Sequence, residues 1–214
     1  MENQMSQPVN IKSIPVGPLE TNCHIIWNQD DCFVFDAGWV SPKTLQFLSA
    51  NNLTPSHVFC THGHGDHIGG LEDMKKNFPN ILICCSAEDA PMLTDAYLNF
   101  SASMMLNIIA PQADVIVKHG DIFKMGDLEW LVLATAGHTP GGVSYYCKSA
   151  GVIVVGDSLF YGSVGRSDLP GGSHEQLIEN IHKNLLSLPD DTLVLCGHGP
   201  ATTIGRERES NPYL

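Results

Sequence analysis

Short apolar runs alternate with clusters of turn residues along most of the chain. In the first third, strand-like runs fall at Asn10–Pro15, Cys23–Trp27 and Cys32–Phe35. A helix is expected over Pro42–Ala50, with Ser41 as N-cap and Pro42 at the first helical position. The apolar run His57–Cys60 predicts a strand that enters THGHGDHIGG, residues 61–70, directly. Glycines alternate with polar residues there, so that stretch reads as a loop. A helix is expected at Leu71–Asn77, a strand at Ile81–Cys85, and helical stretches around Ala87–Met92 and Ala96–Ile108.

The second half has the same character without repeating the sequence. Strands are expected at Asp114–Val117, Leu128–Ala134, Val143–Cys147, Gly151–Val155 and Thr192–Cys196. His174–Leu188 reads as a helix with Ser173 as N-cap and Leu177, Ile181, Leu185 and Leu188 on one face. Two β-rich halves that each carry helices imply a layered α/β or α+β sandwich. No internal repeat, low-complexity tract or linker divides the chain, so residues 1–214 are expected to form one domain.

Composition narrows the classes. Hydrophobic residues make up 43% and charged residues 16%, which excludes a wholly disordered chain. A net charge of −12 argues against nonspecific binding to nucleic acid or to an anionic membrane. A small anionic substrate stays open, because a metal ion or one arginine reverses the local sign. No apolar run reaches the length of about 18 residues that a membrane span needs. The first residues, MENQMSQPVN, lack the basic and apolar regions of a secretory signal. Seven cysteines, an odd number with no CxxC pair, are expected to be reduced, buried thiols of a cytoplasmic protein.

The candidate chemistry lies in where the histidines fall. His62, His64 and His67 sit within six residues, with Asp66 among them. His138, Asp157 and His198 each follow a predicted strand and each adjoin a glycine. Loops at strand ends are where scaffolds commonly place metal and catalytic groups. Imidazole and carboxylate are good ligands for zinc, iron and manganese. Seven such groups are too many for one tetrahedral ion and suit two ions that share a carboxylate and a water. His62 and His64, one residue apart, point the same way in an extended segment. Asp66 and His67 follow after the chain has turned and reach a neighbouring ion. His24, His57, His119, His174 and His182 read as structural. Tyr145, Tyr146, Phe160 and Tyr161 are candidates for walling a cleft or, equally, for burial, and Trp27, Trp39 and Trp130 for the core or partial burial.

His62-Gly63-His64-Gly65-Asp66-His67, followed in order by His138, Asp157 and His198, resembles the HxHxDH signature and later ligands of the metallo-β-lactamase superfamily. The resemblance spans nearly the whole chain. It implies a four-layer αββα sandwich with a dinuclear site at one edge of its two sheets. It implies that His62, His64 and His138 hold the first ion, that Asp66, His67 and His198 hold the second, and that Asp157 bridges them. Within the superfamily, residues 137–141 and 156–160, Thr21-Asn22, and Gly197-His198-Gly199-Pro200 with Asn211-Pro212 look like glyoxalase II, the hydroxyacylglutathione hydrolases.

Residues 199–214 alone follow His198, so the helical C-terminal domain of the two-domain enzyme is not expected. Gly165-Arg166-Ser167-Asp168 with Gly171-Gly172 looks like the single-domain bacterial type, and also like the persulfide dioxygenases. Asp157 argues against the main β-lactamase classes. The resemblance therefore implies two divalent ions, with zinc first and iron or manganese as alternatives. It implies hydrolysis of S-D-lactoylglutathione or a related 2-hydroxyacyl-glutathione thioester, a small-molecule partner. Asp66 would orient the attacking water, and Arg166 would bind a substrate carboxylate or, alternatively, form a structural ion pair with Asp168 or another acid. The alternative activity is iron-dependent oxidation of glutathione persulfide at His62, His138 and Asp157, with a lactonase behind it.

Overall fold

The apolar runs pair into two mixed sheets. The computed structural model describes residues 9–29, 31–39 and 42–214. The first sheet holds six strands in chain order: β1 (Asn10–Val16), β2 (Thr21–Asn28), β3 (Asp31–Phe35), β4 (His57–Phe59), β5 (Leu82–Ser86) and β6 (Val115–Val117). β1–β3 run antiparallel, and β3–β6 run parallel. The second sheet holds β7 (Ile122–Met125), β8 (Leu128–Ala134), β9 (Val143–Cys147), β10 (Val152–Gly156), β13 (Leu193–Cys196) and β14 (Thr202–Thr203). Their spatial order is β14-β13-β10-β9-β8-β7, with only β10 and β13 parallel. A hairpin of β11 (Leu159–Phe160) and β12 (Ser163–Val164) stands apart.

Strands covered on both faces read as continuous apolar runs, and β3 shows why. Its Phe33 and Phe35 face the second sheet, where Phe35 lies 5.2 Å from both the Phe59 and Trp130 rings. Its Cys32 and Val34 face outward. There they meet α1 (Pro42–Ala50) and α3 (Leu71–Asn77) through Leu48, Leu71 and Met74. On the other side, α5 (His174–Asn180) continues through a π-helical turn, Ile181–Leu185. It covers the second sheet with Leu177, Ile181 and Leu185. The layers are therefore α, β, β and α. All seven cysteines are buried and unpaired.

Several local expectations change. Ala96–Ile108 is not a helix: only Ser101–Met104 forms a 3₁₀ turn. Buried Asn99 donates from Nδ2 to the carbonyls of Met92 and Ile108 and accepts from Ser101 N. A side chain that satisfies the backbone this way competes with the helix. Within the loop 61–70, Gly65–Ile68 winds one helical turn, α2. The expected helix at Ala87–Met92 shortens to α4, Ala90–Leu93. The strands β7 and β14, the β11–β12 hairpin and α6 (Ile204–Ser210) were not anticipated. Ser41, read as an N-cap, lies outside the described residues. No helix among the described residues is long and apolar enough to cross a membrane.

The segments that leave β3, β4, β8, β10 and β13 meet at one edge of the sandwich. Gly197 N donates to Gly156 O, Asp36 N to Phe59 O, and Val143 N to Thr61 O, so backbone bonds hold these exits together.

Candidate metal centre

All seven sequence-identified ligands converge at that edge. His62, His64 and His138 offer ligand atoms within 4.8 Å of one another. So do Asp66, His67 and His198, and so do His62, His67 and Asp157. Asp157 thus reaches members of both triads. Its carboxylate lies 3.4 Å from His67 Nε2, 3.6 Å from His138 Nε2 and 3.5 Å from His198 Nε2.

The outer faces of the rings decide which nitrogens point inward. His138 Nδ1 donates to the Arg166 carbonyl at 2.6 Å, and His198 Nδ1 donates to the Leu19 carbonyl at 3.1 Å. Each bond holds the proton on Nδ1 and turns the Nε2 lone pair into the site. His67 Nδ1 lies 3.0 Å from Asp36 Oδ2. The Thr61 hydroxyl donates to Asp36, which leaves it to accept from His62 Nδ1–H at 3.0 Å.

His62 Nε2 is then a buried lone pair with no hydrogen-bond partner. An orphaned acceptor of this kind is costly in a protein interior unless a cation satisfies it. The 2.9 Å approach of His64 Nδ1 to His138 Nε2 brings two further ring nitrogens to the same place. The donor set fits divalent cations.

Electrostatics divides the site. Burial, reinforced by neighbouring imidazoles, holds His62 well below the usual histidine range and pushes His64 down to about 3. Both are neutral and ready to ligate. Against the effect of burial, the carboxylates of Asp66, Asp157 and Asp36 hold His67 well above its ordinary value. Asp66 is likewise held low, because His67, His198 and the Thr21 hydroxyl outweigh its desolvation. Thr21 Oγ1 donates to Asp66 Oδ2 at 2.8 Å. The neighbouring Asn22 Nδ2 donates to the carbonyls of Cys196 and Gly199 and so steadies the loop of His198.

A cleft of about 250 Å³ opens over the site. Leu19, Phe100, Met104 and Leu169 form apolar walls, and Arg166 lies at the rim. The Arg166 guanidinium is exposed and pairs bidentately with Asp168 at 2.8 and 2.9 Å. Tyr145 and Tyr146 take the buried alternative, within the sandwich, and Tyr145 donates to the Cys60 carbonyl. Tyr161 instead lies under the Arg206 guanidinium. Trp130 is fully buried, whereas Trp39 is 41% exposed.

Thr21, Asp36, Thr61, Phe100 and Met104 escaped the reading of the sequence as site residues. Asp36 carried a signal, since it follows a predicted strand as the ligands do, and so did Thr21, in the Thr21-Asn22 pair that looks like glyoxalase II.

Comparison with known proteins agrees with this geometry. The family model for the metallo-beta-lactamase superfamily matches residues 16–198. A probable metallo-hydrolase of Bacillus subtilis (strain 168), YqgX, is 38% identical over 204 residues, covering 95% of this chain and 96% of the relative. The hydroxyacylglutathione hydrolase GloC of Haemophilus influenzae is 33% identical over 213 residues, covering 96% and 98%. Among solved structures, BLEG-1, described as a B3 metallo-beta-lactamase, superposes with a TM-score of 0.91 at 36% identity, covering 96% of this chain and 99% of that one. A di-iron-bound form of TTHA1623 superposes at 0.85 with 32% identity, covering 95% and 100%.

Proposed function

The chain belongs to the metallo-beta-lactamase superfamily, and from that premise we propose that it is a thioester hydrolase of the glyoxalase II type. Its substrate is S-D-lactoylglutathione or a related 2-hydroxyacyl-glutathione. The observation that carries this reading is the division of the ligands into two triads joined by Asp157, together with the GloC relative.

His62, His64 and His138 would hold one ion and Asp66, His67 and His198 the other, with Asp157 within reach of both groups. Zinc suits this mixed imidazole and carboxylate set, and iron or manganese suits it too. Bound there, two divalent ions lower the pKa of a water and polarise a carbonyl oxygen.

The chain's own groups do the rest. Asp66, fixed by Thr21 and 3.2 Å from His198 Nε2, would orient the water and take its proton. The water oxygen bonds to the thioester carbonyl carbon, the C–S bond breaks, and sulfur leaves as thiolate. Leu19, Phe100 and Met104 shield the reacting carbonyl from bulk water. Arg166 exchanges Asp168 for a carboxylate of the substrate, a charge-assisted bond worth about 1.5–3 kcal/mol before the loss of its present partner. The unpaired cysteines support a cytoplasmic setting.

A second reading, oxidation of glutathione persulfide at iron, draws support from the di-iron relative. One substrate panel separates the readings. Purified protein of measured metal content is given S-D-lactoylglutathione, a β-lactam, a lactone, and glutathione persulfide with an oxygen electrode. Fast loss of the thioester, abolished by Asp66→Ala, supports the hydrolase. Oxygen uptake with the persulfide and an inert thioester would replace it with the second reading.

A further inference from the structure

Asp89 is a buried carboxylate to which no role has been assigned. It precedes α4, where an aspartate ordinarily caps the first turn. Here the side chain makes no cap hydrogen bond. Its oxygens turn instead to the two loops that carry the three-histidine triad. Oδ2 accepts from Gly63 N at 3.0 Å, and Gly63 separates His62 from His64. The same oxygen accepts from Thr139 Oγ1 at 2.7 Å, and Thr139 follows His138. Oδ1 accepts from Gly141 N at 2.7 Å.

One carboxylate thus joins a loop of the first sheet to a loop of the second, at the place where their histidines face each other. The fit is close. A Cβ at Gly63 would fall 2.6 Å from Met92 Cβ and 3.0 Å from the Asp89 carbonyl oxygen. A Cβ at Gly141 would fall 2.7 Å from Asp89 Oδ1. Both loops carry glycine where any side chain would push them off the strut.

We propose that Asp89 is the positioning residue of the three-histidine pocket: it sets the separation of the His62–His64 loop from His138, and with it the affinity of that pocket for its ion. The proposal rests on the reading of the site as a metal centre and not on the identity of the substrate. The geometry makes it selective. None of the three bonds reaches the loop of His198, and Asp66 and His67 are steadied by Thr21 and Asp36 instead. Asp89→Asn keeps the size but turns an NH₂ group toward at least one N–H or O–H that now donates to a carboxylate oxygen. The loops must then part at that point.

The test is a zinc titration of the metal-stripped protein against a chromophoric chelator. It is paired with anomalous diffraction from crystals grown at one equivalent of zinc, which reads the occupancy of each pocket without any assay of turnover. Asp89→Asn should weaken the three-histidine pocket about 10- to 100-fold, the range seen when groups behind metal ligands are removed. Zinc should then move to the pocket of Asp66, His67 and His198, whose affinity is unchanged. Thr139→Val deletes one of the three bonds and should weaken the same pocket by a smaller factor; it carries the test if Asp89→Asn does not fold. Unchanged affinity in folded variants would overturn the proposal. So would equal weakening of both pockets, which a general loss of structure would produce.

Discussion

The two ligand triads sit side by side and are built from different chemistry. His62, His64 and His138 form an all-imidazole pocket, and burial keeps His62 and His64 neutral. Asp66, His67 and His198 form a mixed pocket in which carboxylates hold the imidazoles toward the protonated side. The first pocket is braced by the Arg166 carbonyl behind His138, the Thr61 hydroxyl behind His62 and two loops gathered on Asp89. The second is braced by Thr21 behind Asp66, Asp36 beside His67 and the Leu19 carbonyl behind His198. The contrast shows how one edge of a sandwich supplies two kinds of work. Both pockets ligate through neutral imidazole nitrogens, and the second adds a carboxylate, Asp66, that also suits the handling of a proton.

Breaking the second pocket at its carboxylate should have the largest effect. Asp66→Ala is expected to lower kcat about 10²- to 10⁴-fold, the range for a lost acid–base group. It should also leave roughly one ion bound, by elemental analysis, because only the mixed pocket loses a ligand.

A milder change sharpens the contrast. Thr21→Val removes the hydroxyl that holds Asp66. It should weaken the ion of the mixed pocket about tenfold in a metal titration and leave the three-histidine pocket alone.

Arg166 tests the contrast from outside, since its carbonyl serves the first pocket while its guanidinium faces solvent. Arg166→Ala keeps the carbonyl. It should raise KM by up to about tenfold, the loss of one charge-assisted bond, with kcat and metal content unchanged in steady-state kinetics and elemental analysis.

The smallest effect is expected in the metal-stripped protein, as a dependence of Tm on pH. His64 has a folded pKa of about 3, below its ordinary value of 6.5. Its contribution to stability is therefore present above pH 6.5 and is lost as pH falls from 6.5 toward 3. His67 is shifted the other way, so its contribution is present below its ordinary value and is lost as pH rises through its raised one. His64→Gln should flatten the acid side of the Tm profile and leave the alkaline side unchanged, by calorimetry.

Much of this centre is legible in the sequence because its ligands are local signals. His62, His64, Asp66 and His67 fall within six residues, and His138, Asp157 and His198 each stand beside a glycine after an apolar run. A layered sandwich was legible for a similar reason, since β3 is apolar at every core position where helices cover one face and a second sheet the other; the αββα order came with the family resemblance.

What stayed hidden depends on distance in the chain. Asp89 falls inside the helix expected at Ala87–Met92 and shows no role until the fold brings residues 63, 139 and 141 to its oxygens. Thr21 gives no sign of its partner until the fold brings Asp66 to it from 45 positions away. Ala96–Ile108 looks helical by its apolar spacing, and one buried side chain, Asn99, overrides it with three hydrogen bonds to the backbone.

The central claim is that two joined metal pockets hydrolyse a glutathione thioester. The most direct measurement strips the protein of metal and restores zinc in steps while following loss of S-D-lactoylglutathione absorbance. The account predicts no turnover without metal and a rise that levels off at the second equivalent. Turnover that is full without metal, or absent at two bound equivalents in folded protein, would contradict it.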